Sequence, residues 1–265
     1  MPETDSQDFE RELALIAGAA RRAGEIAMRY FRASPEVWMK HGQSPVSEAD
    51  LAANAFLHEH LIGARPDHGW LSEETADSPD RLACRRTFVV DPIDGTRAFI
   101  DGHDTWCVSI AVVENGRPIA GVLDCPALGH VYTARRNGPA LRNGIALSVA
   151  SLPDAPLVAG PAKLIEAAET ASGRTFRRKG HVPSLAIRIA MIAAGELDAT
   201  FVKANSHDWD LAAADLVLEM AGGGVRDSAG GILSYAGPDP RRGLLVAGSE
   251  PLLSELGHSL ASEQA

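Results

Sequence analysis

The chain has 265 residues, 45% of them hydrophobic and 23% charged, and a formal net charge of −10. That is enough apolar chain to bury a full core in one large domain or two closely joined halves. The surplus of carboxylates argues against a phosphate-backbone binder, which concentrates Lys and Arg to displace counterions, so no nucleic-acid partner is expected.

The polar, acidic start "MPETDSQDFE" has neither the basic nor the apolar part of a signal peptide, and no run is long enough to span a bilayer. A cytoplasmic protein without membrane contact is the expectation. Cys84, Cys107 and Cys125 show no paired spacing, which fits a reducing compartment better than a disulfide framework or a zinc knuckle. From Asp8 to Arg32, apolar residues at Leu13, Ile16, Ala20, Ala23, Ala27 and Tyr30 recur at spacings of three and four, the stripe of an amphipathic helix. A second helix is predicted over "VSEADLAANAFLHEHLIGARP", with Ser47 and Asp50 placed as a capping box and Pro66 past its end. These two helices are expected to pack side by side. From residue 87 the texture changes to short apolar runs, "TFVV", "CVSIAVV", "PIAGVLD" and "HVYTA", with "ENGR" as a hairpin signal, predicting an antiparallel meander. Beyond residue 153 strand-like and helical stretches alternate: "PLVAG", "AKLIEAAETA", "PSLAIRIAMIAAGEL", "DATFV", "WDLAAADLVLEMAGG" and "GLLVAGS". That alternation predicts an α/β half. The expected division is therefore an α+β half over residues 1–152 and an α/β half over 153–265, closely joined and sharing an interface.

Chemistry concentrates in "VVDPIDGTRAFIDG". Asp91 and Asp94 flank Pro92, which fixes its own backbone angle and restricts the residue before it, so both carboxylates leave a stiff frame. Hard oxygen ligands on such a frame suit Mg²⁺. Gly95 and Thr96 add an unobstructed backbone and a hydroxyl, and a helix starting here would turn free N–H groups toward a phosphate oxygen. A strand-ending turn accounts for the same residue types. Three other acidic sites have plain readings of their own. Glu73 and Glu74 read alone as an exposed acidic turn, Asp210 as the start of a helix, and Asp50 as the capping partner of Ser47.

Taken together and in this order, "SPVSEAD", "LSEET", "VVDPIDGT" and "WDLAAADLVLEMAGG" resemble the inositol monophosphatase superfamily of magnesium-dependent, lithium-inhibited phosphatases, from about residue 40 to residue 223. The resemblance implies a layered αβαβα sandwich, of mixed α+β and α/β character, with an antiparallel sheet and a second, mostly parallel sheet between helices. It also implies that Glu73, Asp91, the backbone carbonyl of Ile93, Asp94 and Asp210 bind two or three Mg²⁺ ions. Gly95 and Thr96 would hold phosphate through backbone N–H groups, while Thr96, oriented by Asp50, and Glu73 would position and deprotonate water. Phosphoryl transfer of this kind needs charge neutralisation and alignment rather than a nucleophilic Ser or Cys.

Departures from the family pattern bear on the substrate. Ser72 replaces the first glycine of a Gly-Glu-Glu motif, and Ala214 replaces a glycine after Trp-Asp-x-Ala-Ala. By ungapped count, Lys203 falls where inositol-specific members carry a glutamate for ring hydroxyls, so a second phosphate is expected there instead; a solvated lysine at a strand end is the plain alternative. "VPSLAIR" places Pro183 and Leu185 at the family's small-residue turn over the sugar. The expected substrate is a small soluble phosphate ester: inositol monophosphate, a 3'(2'),5'-bisphosphate nucleotide, or histidinol phosphate, whose branch "DGTRAF" also resembles. A homodimer is expected, and the rival class is a regulatory binding protein that retains the fold.

Overall fold

The computed structural model describes residues 3–40 and 44–256. Helix α1 (Glu3–Met28) carries the predicted stripe inward, with Ile16, Ala20, Ala23 and Ala27 fully buried. It starts earlier and stops sooner than the sequence pattern suggests, and beyond its end Arg32 and Ser34 adopt positive φ. Strands β1 (Val37–Lys40) and β2 (Ser44–Ser47) form an antiparallel pair leading into α2 (Glu48–Ala64), which begins on the predicted Ser47–Asp50 capping box.

The first sheet has seven strands in sequential order: β3 (Gly69–Ser72), β4 (Arg86–Asp94), β5 (Cys107–Glu114), β6 (Arg117–Cys125), β7 (His130–Arg135), β8 (Leu141–Arg142) and β9 (Ile145–Ala146). A short helix, α3 (Thr96–Ile100), follows β4. Asn115 and Gly116 both take positive φ between β5 and β6, as a two-residue hairpin requires. All pairings are antiparallel except β3 with β4, and β3 has no counterpart in the sequence reading, which saw only its acidic end. Alternation along the strands divides the faces. Phe88, Val90, Val108, Ile110 and Val112 meet α1 and α2, so those helices do share one apolar layer, whereas Val89, Cys107, Ala111 and Val113 turn the other way.

The second half supplies β10 (Leu157–Ala159), α4 (Ala162–Ser172), β11 (Arg177–Arg178), α5 (Leu185–Ala193), β12 (Ala199–Val202), β13 (Ser206–His207), α6 (Asp208–Met220), β14 (Gly223–Asp227), β15 (Arg241–Arg242), β16 (Leu245–Ser249) and α7 (Glu250–Leu256). Its main sheet runs β11-β10-β12-β16-β14. This sheet is mixed rather than mostly parallel: β10 pairs in parallel with β11 and β12, but β16 is antiparallel to both β12 and β14. The reason is the connection. Parallel neighbours need a crossover, and residues 228–244 between β14 and β16 contain no helix, so the chain runs straight back along its own strand.

Helices α5 and α6 lie between the two sheets. Leu211 through Leu218 are all buried, Asp215 included, and a helix buried around its circumference is one covered on both sides. One apolar cluster joins Val89 and Leu123 of the first sheet, α5 and α6, and Ala159, Val202 and Ala247 of the second. Gly121 permits the close approach, since a Cβ there would sit 3.1 Å from the Ala213 backbone. The far face of the second sheet packs Val158, Phe201 and Val246 against α4 and α7. The layers are therefore α1/α2, sheet, α5/α6, sheet, α4/α7.

Candidate active site

Pro92 lies inside β4 rather than in a turn after it, and a bulge makes room for it. Asp91 pairs with Ser109 and Asp94 with Cys107, so Pro92 and Ile93 of β4 oppose the single Val108 of β5. The extra residue cancels the alternation that would otherwise send residues three apart to opposite faces. Both carboxylates consequently share the face that looks toward α5 and α6. Asp91 Oδ1 accepts the Ile93 N–H at 3.0 Å, which locks the bulge.

Four other element ends converge on this point. Glu73 directly follows β3, held by its N–H to Val90 O at 3.3 Å. Ser72, the departure from Gly-Glu-Glu, donates its hydroxyl to Asn54 Oδ1 at 2.7 Å and so ties that end to α2. Asp210 occupies the first turn of α6, its Oδ2 accepting the His207 N–H at 2.7 Å. Beneath it the buried Asp208 is bound by Arg242 Nε at 2.6 Å and the Ala236 N–H at 2.7 Å, which anchors the start of α6. Asp50 serves two partners at once: Oδ2 takes the Ser47 N–H at 2.8 Å in the capping box, and Oδ1 faces the Thr96 hydroxyl at 3.3 Å. That hydroxyl also lies 3.0 Å from the Ile93 carbonyl, and its single proton can serve only one acceptor at a time. Gly95 is required before α3, with φ of 96° and only 2.9 Å between a would-be Cβ and the Thr105 carbonyl.

Glu73, Asp91 and Asp210 each offer a carboxylate oxygen within 4.8 Å of the others. Burial pushes the Asp91 carboxyl well above its usual range, and the charges of Glu73, Asp94, Asp210 and Asp50 push it further. Burial does the same at Asp210, reinforced by Asp94, Glu73 and Asp208. Among the described residues neither has an Arg or Lys ion-pair partner. One buried and two half-buried carboxylates at this spacing fit a divalent cation, and the all-oxygen donor set fits a hard one. Asp94 stands slightly apart. Its Oδ2 is taken by the Ser184 hydroxyl and, at 2.7 Å, by the Ala186 N–H at the start of α5; burial raises its pKa while these bonds oppose the rise.

A cavity of about 1090 Å³ opens over the cluster. Of the residues singled out in the sequence, Glu73, Asp91, Ile93, Asp94, Gly95, Thr96, Lys203 and Asp210 line it, whereas Asp50 lies behind Thr96. Lys203 is exposed on its rim. Sequence reasoning passed over Ser184 and Arg188. Ser184 had a readable signal, an N-cap residue before an apolar helical run, and its hydroxyl indeed accepts the Ile187 N–H at 3.0 Å.

Residues 9–264 match the inositol monophosphatase family. The chain belongs to that family. Among curated members, an inositol-1-monophosphatase of Mesorhizobium japonicum is 34% identical over 83% of this chain and 86% of its own length. A 3'(2'),5'-bisphosphate nucleotidase of Aggregatibacter actinomycetemcomitans is 30% identical over 78% and 81%. A histidinol-phosphatase of Chlorobaculum parvum is 36% identical, but over 53% of this chain and 54% of its own. The crystal structure of the extragenic suppressor protein SuhB of Bartonella henselae superposes with a TM-score of 0.79 and 28% identity, covering 94% of this chain and 98% of that one. Inositol monophosphatase family membership makes the chain a phosphoric monoester hydrolase of a metal-dependent kind.

Proposed function

We propose that this protein is a Mg²⁺-dependent phosphomonoesterase acting on a small soluble ester, inositol monophosphate or a 3'(2'),5'-bisphosphate nucleotide. The observation that carries the reading is the convergence of Glu73, Asp91 and Asp210 at the floor of one cavity. Glu73, Asp91, the Ile93 carbonyl, Asp94 and Asp210 would hold two or three Mg²⁺ ions. When bound, such ions neutralise phosphoryl oxygens and lower the pKa of water. The chain's own groups do the rest. Backbone N–H groups of Gly95 and Thr96, the N-cap and first residue of α3, would be donors for the ester's phosphate. Asp50 Oδ1 draws the Thr96 hydroxyl proton, leaving the Thr96 oxygen lone pairs turned outward to orient an attacking water, whose proton Glu73 accepts. The cavity suits a ligand of metabolite size. No helix among the described residues is long and apolar enough to cross a membrane, and a cytoplasmic homodimer completes the reading.

Histidinol phosphate is the alternative substrate, supported by the 36% identical histidinol-phosphatase. A purely regulatory role is disfavoured because no ligand position is missing. A phosphate-release assay with Mg²⁺ over the three esters tests the proposal: turnover of at least one that disappears in EDTA is expected, together with lithium inhibition. Failure on every ester would sink it.

A further inference from the structure

Between Glu73, just past β3, and Arg86, at the start of β4, the chain forms no strand and only a short 3₁₀ helix, Pro79–Ala83. With no ladder to fix its course, this stretch is placed by side chains. Thr75 ties its near end, accepting Asn54 Nδ2 at 3.0 Å and Trp70 Nε1 at 3.3 Å. Arg81 ties the far end. Its side chain is only 2% exposed, and it packs onto β3 at Gly69, where a Cβ would come within 2.7 Å of Arg81 Cβ. The guanidinium donates to both Asp77 oxygens, from Nε at 2.5 Å and Nη2 at 2.8 Å. Its remaining protons leave the segment altogether. Nη1 donates to the Ala236 carbonyl at 2.8 Å and Nη2 to the Gly237 carbonyl at 3.0 Å, 155 and 156 residues along the chain, on the return between β14 and β16.

Ala236 is an unusual residue to find at the other end. Its φ is 57°, the left-handed conformation that a Cβ disfavours, and such strain persists only where the surroundings over-determine it. Here it is gripped on both sides. Arg81 holds its carbonyl, and Asp208 Oδ2 accepts its N–H at 2.7 Å. Asp208 opens α6, whose first turn carries Asp210. A continuous run of bonds therefore joins the segment that follows Glu73 to the helix end that presents Asp210. Those two carboxylates come from different halves of the chain, and with no cation between them their charges repel. A tie that keeps them from splaying preorganises the site for a cation.

We propose that Arg81 is a positioning residue for the cation site, holding Glu73 and Asp210 at their mutual distance by fixing the Ala236 peptide that seats the start of α6. The inference rests on the metal-dependent reading of the site. It concerns a residue outside the cavity, one that touches neither substrate nor ion.

The test compares the wild type with Arg81→Met, Asp77→Asn, and Arg81→Met combined with Ala236→Gly, each metal-free protein first checked for a cooperative melt. Mn²⁺, a hard oxygen-seeking cation visible by electron paramagnetic resonance, gives a readout without turnover. Arg81→Met should weaken the Mn²⁺ Kd about tenfold and Asp77→Asn about threefold. Adding Ala236→Gly should restore part of the affinity, because glycine takes the left-handed conformation without being held there. In turnover assays the Mg²⁺ concentration for half-maximal rate should follow the same order, while KM for the ester at saturating Mg²⁺ stays at the wild-type value. A purely structural role would lower the melting temperature and leave the Mn²⁺ Kd alone. That result, or a loss of affinity that Ala236→Gly does not ease, overturns the proposal. If Arg81→Met fails to fold, Asp77→Asn decides by the same criterion, an unchanged Kd overturning it. A wild type that binds no Mn²⁺ removes the metal reading and the proposal together, whereas equal binding by wild type and variants removes the proposal alone.

Discussion

Asp91 is 2% exposed and surrounded by carboxylates. Its charge is therefore costly to the fold and valuable only if a cation answers it. Asp91→Asn should lower turnover at saturating Mg²⁺ by at least about 100-fold while the metal-free variant melts no lower than the metal-free wild type, since the substitution relieves repulsion. Asp94→Asn should also abolish turnover. Wild-type rates for either variant in limiting Mg²⁺ would show that these residues do not hold the ion. Lys203 is a weaker case. Exposed on the rim, it should contribute through a screened interaction, so Lys203→Glu is expected to raise KM for a bisphosphate nucleotide several-fold and KM for inositol monophosphate little. Steady-state kinetics giving equal effects on both would make it only a solvated lysine.

At the level of elements, the site is built from ends: a strand terminus, a bulge and the first turns of α2, α5 and α6. Ser184 couples two of them, capping α5 through Ile187 N–H and donating to Asp94. Ser184→Ala should cost about 1–2 kcal/mol of stability from the lost cap. It should also lower kcat, because Asp94 loses a donor that fixes its orientation. A stability loss with kcat intact would confine Ser184 to capping. Asp215 joins α6 to β14 and the chain beyond, with Oδ1 accepting the Val225 N–H at 3.0 Å and Oδ2 the Tyr235 hydroxyl at 2.8 Å. Burial raises its pKa from 3.8 to about 6. The folded state therefore binds this proton more tightly than the unfolded chain. The resulting penalty is absent below about pH 4, grows as pH rises to about 6 and is complete above it. Asp215→Asn should remove it: denaturant titrations from pH 4 to pH 7 should show the variant gaining on the wild type by up to about 3 kcal/mol. A constant difference across that range would rule out the shifted carboxyl.

On the scale of the whole molecule, α5 and α6 belong to two sheets at once, and one apolar cluster contains residues from both sides of residue 153. Neither half can keep those helices covered without the other. Thermal unfolding should accordingly be a single transition with matching calorimetric and van't Hoff enthalpies. Two resolved transitions would mean that residues 1–152 and 153–265 unfold as separate units.

Local pattern alone determined a good deal. The stripe of α1, the capping box of α2, the "ENGR" hairpin and the alternation after residue 153 are short-range signals, and each produced its element. The carboxylates of "VVDPIDGT" were legible because proline and glycine restrict the backbone wherever they stand. What periodicity cannot carry is which distant segments meet. It did not show that β3 runs parallel beside β4 and delivers Glu73, that a helix-free return makes the second sheet mixed, or that a bulge sets Asp91 and Asp94 on one face. Nor could it show Ser184 holding Asp94, or Arg81 reaching across to the carbonyl of Ala236. Those facts depend on how two sheets stack on the same pair of helices, and packing across sequence separations of about a hundred residues leaves no periodic trace in the chain.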